Sequence, residues 1–281
     1  MKIGKYTVHI IESGYFGLDG GAMFGVVPKP LWEKTNPADE QNRIKLAARN
    51  LLLVSESKKI LVDTGMGNKW SEKNKKIYAI DHDSSSLERS LSGLNLTRGD
   101  ITDVIITHLH FDHSGGCTFY NNSKLEPAFP NATYYIQKQQ YQWAVNPSEK
   151  DQGSFIKEDF VPLKEEGVLL QIEGEKKFDD EIDLIVVNGH TFGQQLLKIS
   201  DLSTTLFYCC DLFPTMSHIP IPYMMGFDIQ PLITVQEKKK LLKTALDEDW
   251  KLFFAHDPEI AYATLKSTDK GIRIKDKFNS F

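Results

Sequence analysis

The sequence predicts a mixed-sheet sandwich of the α/β (α+β) class, with helices on its outer faces. Short runs rich in Ile, Val, Leu and aromatic residues recur along the chain, bounded by Gly, Asp or Ser. Amphipathic helical patterns fall between groups of these runs, the order expected of sheets covered by helices. The chain has 281 residues, 41% hydrophobic and 25% charged, which supplies a real core. It contains no low-complexity segment, short repeat or clear linker, so one domain over 1–281 is the simplest organisation.

The expected strands are 7–11, 50–54, 60–62, 104–107, 133–136, 184–187, 196–199, 206–209 and 252–255. Ser55-Glu56-Ser57-Lys58 reads as a hairpin turn between the second and third. Ser85-Ser86-Leu87-Glu88 reads as a capping box, followed by Leu87, Leu91 and Leu94 on one face. Residues 138–144 form a second helical pattern. Residues 234–247 form a third, with Leu241, Leu242, Ala245 and Leu246 as its apolar stripe. Three stretches fit neither pattern: 14–46, 65–80 and the Pro-rich 212–231. Loops this long in a compact protein tend to carry function, so they are candidate pocket walls.

A net charge of −5 and a pI near 5.9 leave no basic stripe for nucleic acid. Lys238-Lys239-Lys240 reads as a solvated helix face. The acidic balance argues against an anionic membrane surface, and no apolar run is long enough to span a bilayer. The three cysteines, Cys117, Cys209 and Cys210, imply no disulfide framework; Cys209 and Cys210 read as small buried hydrophobes. The N-terminal residues lack the apolar run of a signal peptide, so a cytoplasmic location is expected.

The chemistry is concentrated in Thr107-His108-Leu109-His110-Phe111-Asp112-His113-Ser114-Gly115-Gly116. An apolar strand runs straight into it. Alternation places His108 and His110 on one side of the chain, with Asp112 and His113 in the turn beyond. Imidazoles and a carboxylate at this spacing suit zinc and its first-row neighbours. Gly115 and Gly116 are expected to let the backbone turn beneath the cluster. His190, Asp211 and His256 each follow a strand, which makes them candidate partners.

The motif His-x-His-x-Asp-His, with a later His, Asp and His, resembles that of the metallo-β-lactamase superfamily. His108, His110, Asp112, His113, His190, Asp211 and His256 occupy all seven positions, and Asp63-Thr64-Gly65 matches the family's Asp-Thr-Gly. The resemblance implies an αβ/βα four-layer sandwich of two mixed sheets. It also implies two divalent metal ions, zinc by expectation, with manganese, cobalt or iron as alternatives. One ion would take His108, His110 and His190, the other Asp112, His113 and His256, with Asp211 bridging them. Asp63 would be structural. A shared carboxylate lets two dications lie roughly 3.5–4 Å apart.

Within the superfamily, the stretch 21–32 and Asp211-Leu212-Phe213-Pro214-Thr215 resemble quorum-quenching N-acyl-homoserine-lactone lactonases; the first is shared with methyl parathion hydrolase relatives. The implied activity is opening of a lactone or ester by a metal-bridging hydroxide, with Asp112 or Asp211 passing a proton to the leaving alkoxide. An organophosphate or phosphodiester hydrolase is the alternative of the same fold. An iron-binding oxidoreductase or a non-catalytic metal-binding scaffold is the alternative of another class. Familiar lactonases carry a Tyr three residues after the bridging Asp, where this chain has Pro214; Tyr223 or His218 is a candidate replacement. Gln194 stands where the family often has a further His. Phe24, Trp32, His218 and Tyr223 are therefore the candidate substrate contacts. A small-molecule lactone or ester is the expected partner, and a homodimer is compatible with the sequence.

Overall fold

The computed structural model describes residues 1–281 and places every expected strand in one of two seven-stranded sheets. The first contains β1 (Lys2–Ile3), β2 (Tyr6–Asp19), β3 (Arg43–Val54), β4 (Lys59–Val62) and β5 (Asp103–Ile105). A small hairpin of β6 (Thr118–Asn121) and β7 (Lys124–Pro127) follows, before β8 (Thr133–Gln137) and β9 (Leu169–Ile172) complete the first sheet. The second sheet runs in chain order through β10 (Lys176–Lys177), β11 (Ile182–Val187), β12 (Gln194–Ser200), β13 (Thr205–Tyr208), β14 (Lys251–Phe253), β15 (Tyr262–Thr268) and β16 (Gly271–Phe278). Both sheets are mixed. β1 to β4 pair antiparallel and β4, β5, β8 and β9 pair parallel. In the second sheet only β13 and β14 are parallel.

Period-two alternation sorts the core. Leu51, Leu53, Ile60, Val62 and Ile105 face the second sheet and join a 35-residue cluster with Leu184, Leu197 and Phe253. Leu52, Leu61 and Val104 point the other way, onto helical residues such as Leu87, Leu91, Tyr141 and Ala144. The helix Pro231–Asp247 covers the second sheet through Leu241, Leu242 and Ala245. None of the helices is long and apolar enough to cross a membrane.

Several expectations need correction. The stretch 14–46 is sheet at both ends, because β2 continues to Asp19 and β3 begins at Arg43, with the short helices Gly20–Phe24 and Lys29–Trp32 between them. A bulge between Glu12 and Tyr15 hides the continuity from the sequence pattern. Gly14 occupies it at φ +124°, and a Cβ there would lie 2.6 Å from the His82 ring. The first long helix, Leu87–Gly93, starts one residue later than expected. Its cap is Ser86, whose hydroxyl accepts from Arg89 N at 3.2 Å, and Glu88 pairs with Arg98 instead of closing a box. Lys238 is fully buried, not solvated, and donates to the carbonyls of His218, Pro220 and Tyr223 at 2.7, 3.1 and 2.7 Å. It ties the Pro-rich segment to the helix below it. The sequence reading also lacked β15 and β16, whose charged, half-exposed residues carry a weak apolar signal.

Candidate metal centre

The candidate ligands lie where strands of both sheets end at one rim. β5 stops at Ile105, and the chain continues through His108 to His110, which caps the short helix Phe111–Ser114. That helix, rather than an open turn, carries Asp112 and His113. His190 follows β11, Asp211 sits in a 3₁₀ turn after β13, and His256 follows β14. All seven side chains are buried. The glycines under the cluster serve close approach rather than turning. A Cβ on Gly115 would lie 2.2 Å from Met66 O, and one on Gly116 would lie 2.4 Å from Thr64 O. The Asp63–Gly67 turn is thereby pressed against the 108–116 segment, and Thr64 N and Oγ1 both donate to His113 O.

The seven side chains form two quartets sharing one carboxylate. In the first, His110 Nδ1 lies 3.0 Å from His108 Nε2 and 3.1 Å from His190 Nε2, and Asp211 Oδ2 lies 3.1 Å from His190 Nε2. In the second, His113 Nε2 and His256 Nε2 are 3.0 Å apart, with Asp211 Oδ1 at 3.3 and 3.0 Å and Asp112 Oδ2 at 3.8 and 3.6 Å. Each oxygen of Asp211 therefore serves one quartet.

Hydrogen bonds on the far side of the rings fix their tautomers. His113 Nδ1 faces Asp63 Oδ2 at 2.9 Å, His190 Nδ1 faces Asp228 Oδ1 at 3.0 Å, and His256 Nδ1 faces Ala47 O at 2.8 Å. Those partners are acceptors, so each Nδ1 carries the proton and each neutral ring turns an unprotonated Nε2 inward. His113 and His256 then direct lone pairs at each other across 3.0 Å. Only a proton or a cation reconciles that arrangement, so the donor set fits a metal. Asp63 is itself braced by Thr107 N at 2.7 Å and Tyr208 Oη at 3.0 Å, in the structural role implied by the resemblance.

The electrostatics agree. Burial opposes charge on His190, but Asp211 and Asp228 overcome it and raise its pKa to about 9. Burial likewise opposes charge on His113, and the carboxylates of Asp211, Asp112 and Asp63 push its pKa above the usual value. Burial would raise the Asp211 carboxyl; His113, His256 and His190 instead hold it well below the carboxylate range. Burial, then neighbouring imidazoles, drive His108 and His110 well down. A site without metal thus holds positive charge on some rings, where a cation would replace it. Burial pushes the Cys210 thiol up to about 12, so it stays protonated behind the rings and donates to Thr107 Oγ1 at 3.1 Å.

A cavity of about 590 Å³ opens onto the quartets, within the roughly 300–1,000 Å³ of small-molecule sites. His110, Asp112, His190, Asp211 and His256 form its floor. Leu18, Met23, Leu46, Phe111, Met225 and Phe227 make its walls apolar. The four expected substrate contacts lie elsewhere. Trp32, Phe24 and His218 are fully buried and stack in series behind the wall, 5.4 and 4.6 Å between centroids, with Tyr223 edge-on to Phe24. His218 is spent on Met23 O and Thr215 Oγ1, at 2.9 and 2.8 Å. Aromatic side chains in a Gly- and Pro-rich segment packed against each other instead of lining the pocket.

Asp228 was missed at the sequence level. It lies in the Pro-rich segment with no motif around it, yet it orients His190. Gln194 does not do so; its Nε2 donates to Cys210 Sγ at 3.2 Å.

The sequence model of the metallo-beta-lactamase superfamily matches residues 46–269. The chain belongs to the metallo-beta-lactamase superfamily. Its curated relatives include the N-acyl homoserine lactonase AttM of Rhizobium radiobacter, 28% identical over 66% of this chain and 69% of that protein. They also include AiiA of Bacillus thuringiensis subsp. kurstaki, 26% identical over 74% of this chain and 80% of that protein. Among solved structures, a probable metal-dependent hydrolase from Staphylococcus aureus superposes with a TM-score of 0.90 at 28% identity, covering 99% of this chain and 98% of that one. AidC, a dizinc quorum-quenching lactonase, shares the fold with a TM-score of 0.82 at 23% identity, covering 99% and 96%. The expected superfamily, its two-sheet architecture and the lactonase kinship are borne out.

Proposed function

We propose that this protein is a dinuclear metal-dependent hydrolase that opens lactones or related esters bearing an apolar chain. The observation that carries the reading is the division of Asp211, one oxygen toward each quartet. His108, His110 and His190 would hold one ion, and Asp112, His113 and His256 the other. Two divalent ions, zinc by preference, supply Lewis acidity and a water activated near neutral pH when bound. Asp63, Asp228 and Ala47 O keep the ring protons on the outer nitrogens, so the inner ones stay free as ligands. The apolar walls bind the chain of the substrate and exclude water, leaving the acyl group over the floor. Asp112 stands on that floor, where its carboxylate can carry a proton to the departing alkoxide.

The test is turnover of a panel of acyl-homoserine lactones, simple esters and an organophosphate triester, with and without chelator. The reading expects the highest kcat/KM on chain-bearing lactones, lost on chelation and restored by zinc, manganese or cobalt. Chelator-insensitive turnover, or a preference for the triester, would overturn it.

A further inference from the structure

The cavity holds many groups able to touch a substrate, but few hydrogen-bond donors remain uncommitted. Lys150 stands at the mouth, and its ammonium is occupied by the carbonyls of Gly226, Phe227 and Asp228 at 2.9, 3.1 and 3.1 Å. Arg43 is likewise spent on Lys76 O, Ile77 O and Asp39. Gln41 is exposed at the entrance. Two lining hydroxyls have no protein partner, those of Ser154 and the half-buried Tyr78, and Tyr78 alone is a phenol.

Tyr78 is also held firmly. It ends the helix Glu72–Ile77, and its carbonyl accepts from Gly17 N at 2.6 Å. Its ring packs against Trp70 and Phe111, with centroids 5.5 and 5.1 Å away. Trp70 is pinned in turn by its indole N–H on Met66 O at 2.7 Å. Phe111 immediately precedes Asp112, so this aromatic triad anchors the Tyr78 ring to the segment that carries Asp112, and both residues line the same cavity. A phenol is protonated at neutral pH, which keeps it a donor. A fixed neutral donor in a cavity with apolar walls strengthens its bond as charge builds on a reacting oxygen.

We propose that Tyr78 is a catalytic residue of this site, donating a hydrogen bond to the acyl oxygen of the substrate as that oxygen gains negative charge. The proposal rests on the hydrolase reading above. Ile77, adjacent on the same wall, serves as the contrast, since it offers only apolar contact.

The experiment compares wild type, Tyr78→Phe and Ile77→Ala on one chain-bearing lactone, with metal content and melting temperature measured on each. The expected result for Tyr78→Phe is a fall in kcat of roughly 10–100-fold, with KM, metal content and melting temperature retained. Ile77→Ala should instead raise KM and leave kcat nearly unchanged. An unchanged kcat in Tyr78→Phe, a change in KM alone, or a lower kcat accompanied by lost metal or stability would overturn the assignment. If wild type does not turn over any lactone or ester, the hydrolase reading itself fails; if it does and Tyr78→Phe matches it, only the role of Tyr78 fails.

Discussion

The molecule buries histidines in two neighbouring regions, and two of those at the rim go the opposite way from His218, while His108 and His110 beside them are driven down as it is. At the rim where the sheets meet, His113 and His190 are driven toward the charged form despite complete burial. In the aromatic layer under the N-terminal segment, His218 is equally buried, and its pKa falls to about 3. Burial disfavours imidazolium in both places. The difference lies in what the inner face of each ring meets. His218 has a carbonyl for its N–H and a hydroxyl for its other nitrogen, and Phe24 stacks on its face. His113 and His190 have carboxylates behind them, and imidazole nitrogens and the Asp211 carboxylate ahead. A saturated histidine is architecture, and a histidine with an unmatched lone pair is a ligand waiting for a cation.

The contrast can be broken most severely at Asp211. Asp211→Asn removes the charge common to both quartets. It should lower metal content and kcat/KM together, by more than the roughly 10–100-fold typical of an outer partner. Asp228→Asn should give that smaller loss, about 10–100-fold in metal affinity by chelator competition, because only the orientation of His190 is weakened. A full loss in Asp228→Asn, or none in Asp211→Asn, would erase the distinction between ligand and support.

His218 tests the other region through pH. Its pKa drops from 6.5 unfolded to about 3 folded, so the folded state binds fewer protons between those values. Its contribution to stability is complete above pH 6.5 and is lost progressively as the pH falls toward 3. By linkage, moving from pH 7.5 to 5 should cost wild type about 2 kcal/mol that His218→Gln does not lose. Denaturant melts of both proteins at the two pH values measure this. Parallel losses would show that His218 titrates normally. The smallest effect is expected from Cys210→Ala. The thiol touches the outer side of His108 and His113 at 3.6 and 3.8 Å, so its removal should cost about 1 kcal/mol of stability and leave metal content unchanged. Loss of an ion in that variant would make Cys210 more than packing.

The same contrast explains what the sequence could reveal. The seven rim residues were legible because four sit in one compact run after an apolar strand and His190, Asp211 and His256 each follow a strand of their own, and strand ends are recognisable from alternation and burial. Asp63 was legible through its turn. Asp228 was not, since its partner is 38 residues away and its own segment has no periodicity. The aromatic layer misled for a related reason. Phe24, Trp32, His218 and Tyr223 have the composition of a pocket wall, and only packing shows that they face each other. Tyr78 was hidden in a polar stretch, where a six-residue helix and its packing on Phe111 give it a fixed place. Lys238 read as surface because two further lysines follow it, although the helix turns it toward three carbonyls.

The central claim is that two cations share Asp211. Anomalous diffraction at the absorption edge of the reconstituting metal, from crystals of the reloaded protein, tests it most directly. The account predicts two peaks on either side of the Asp211 carboxylate, one against His108, His110 and His190 and the other against Asp112, His113 and His256. A single peak, or peaks away from those side chains, would contradict it.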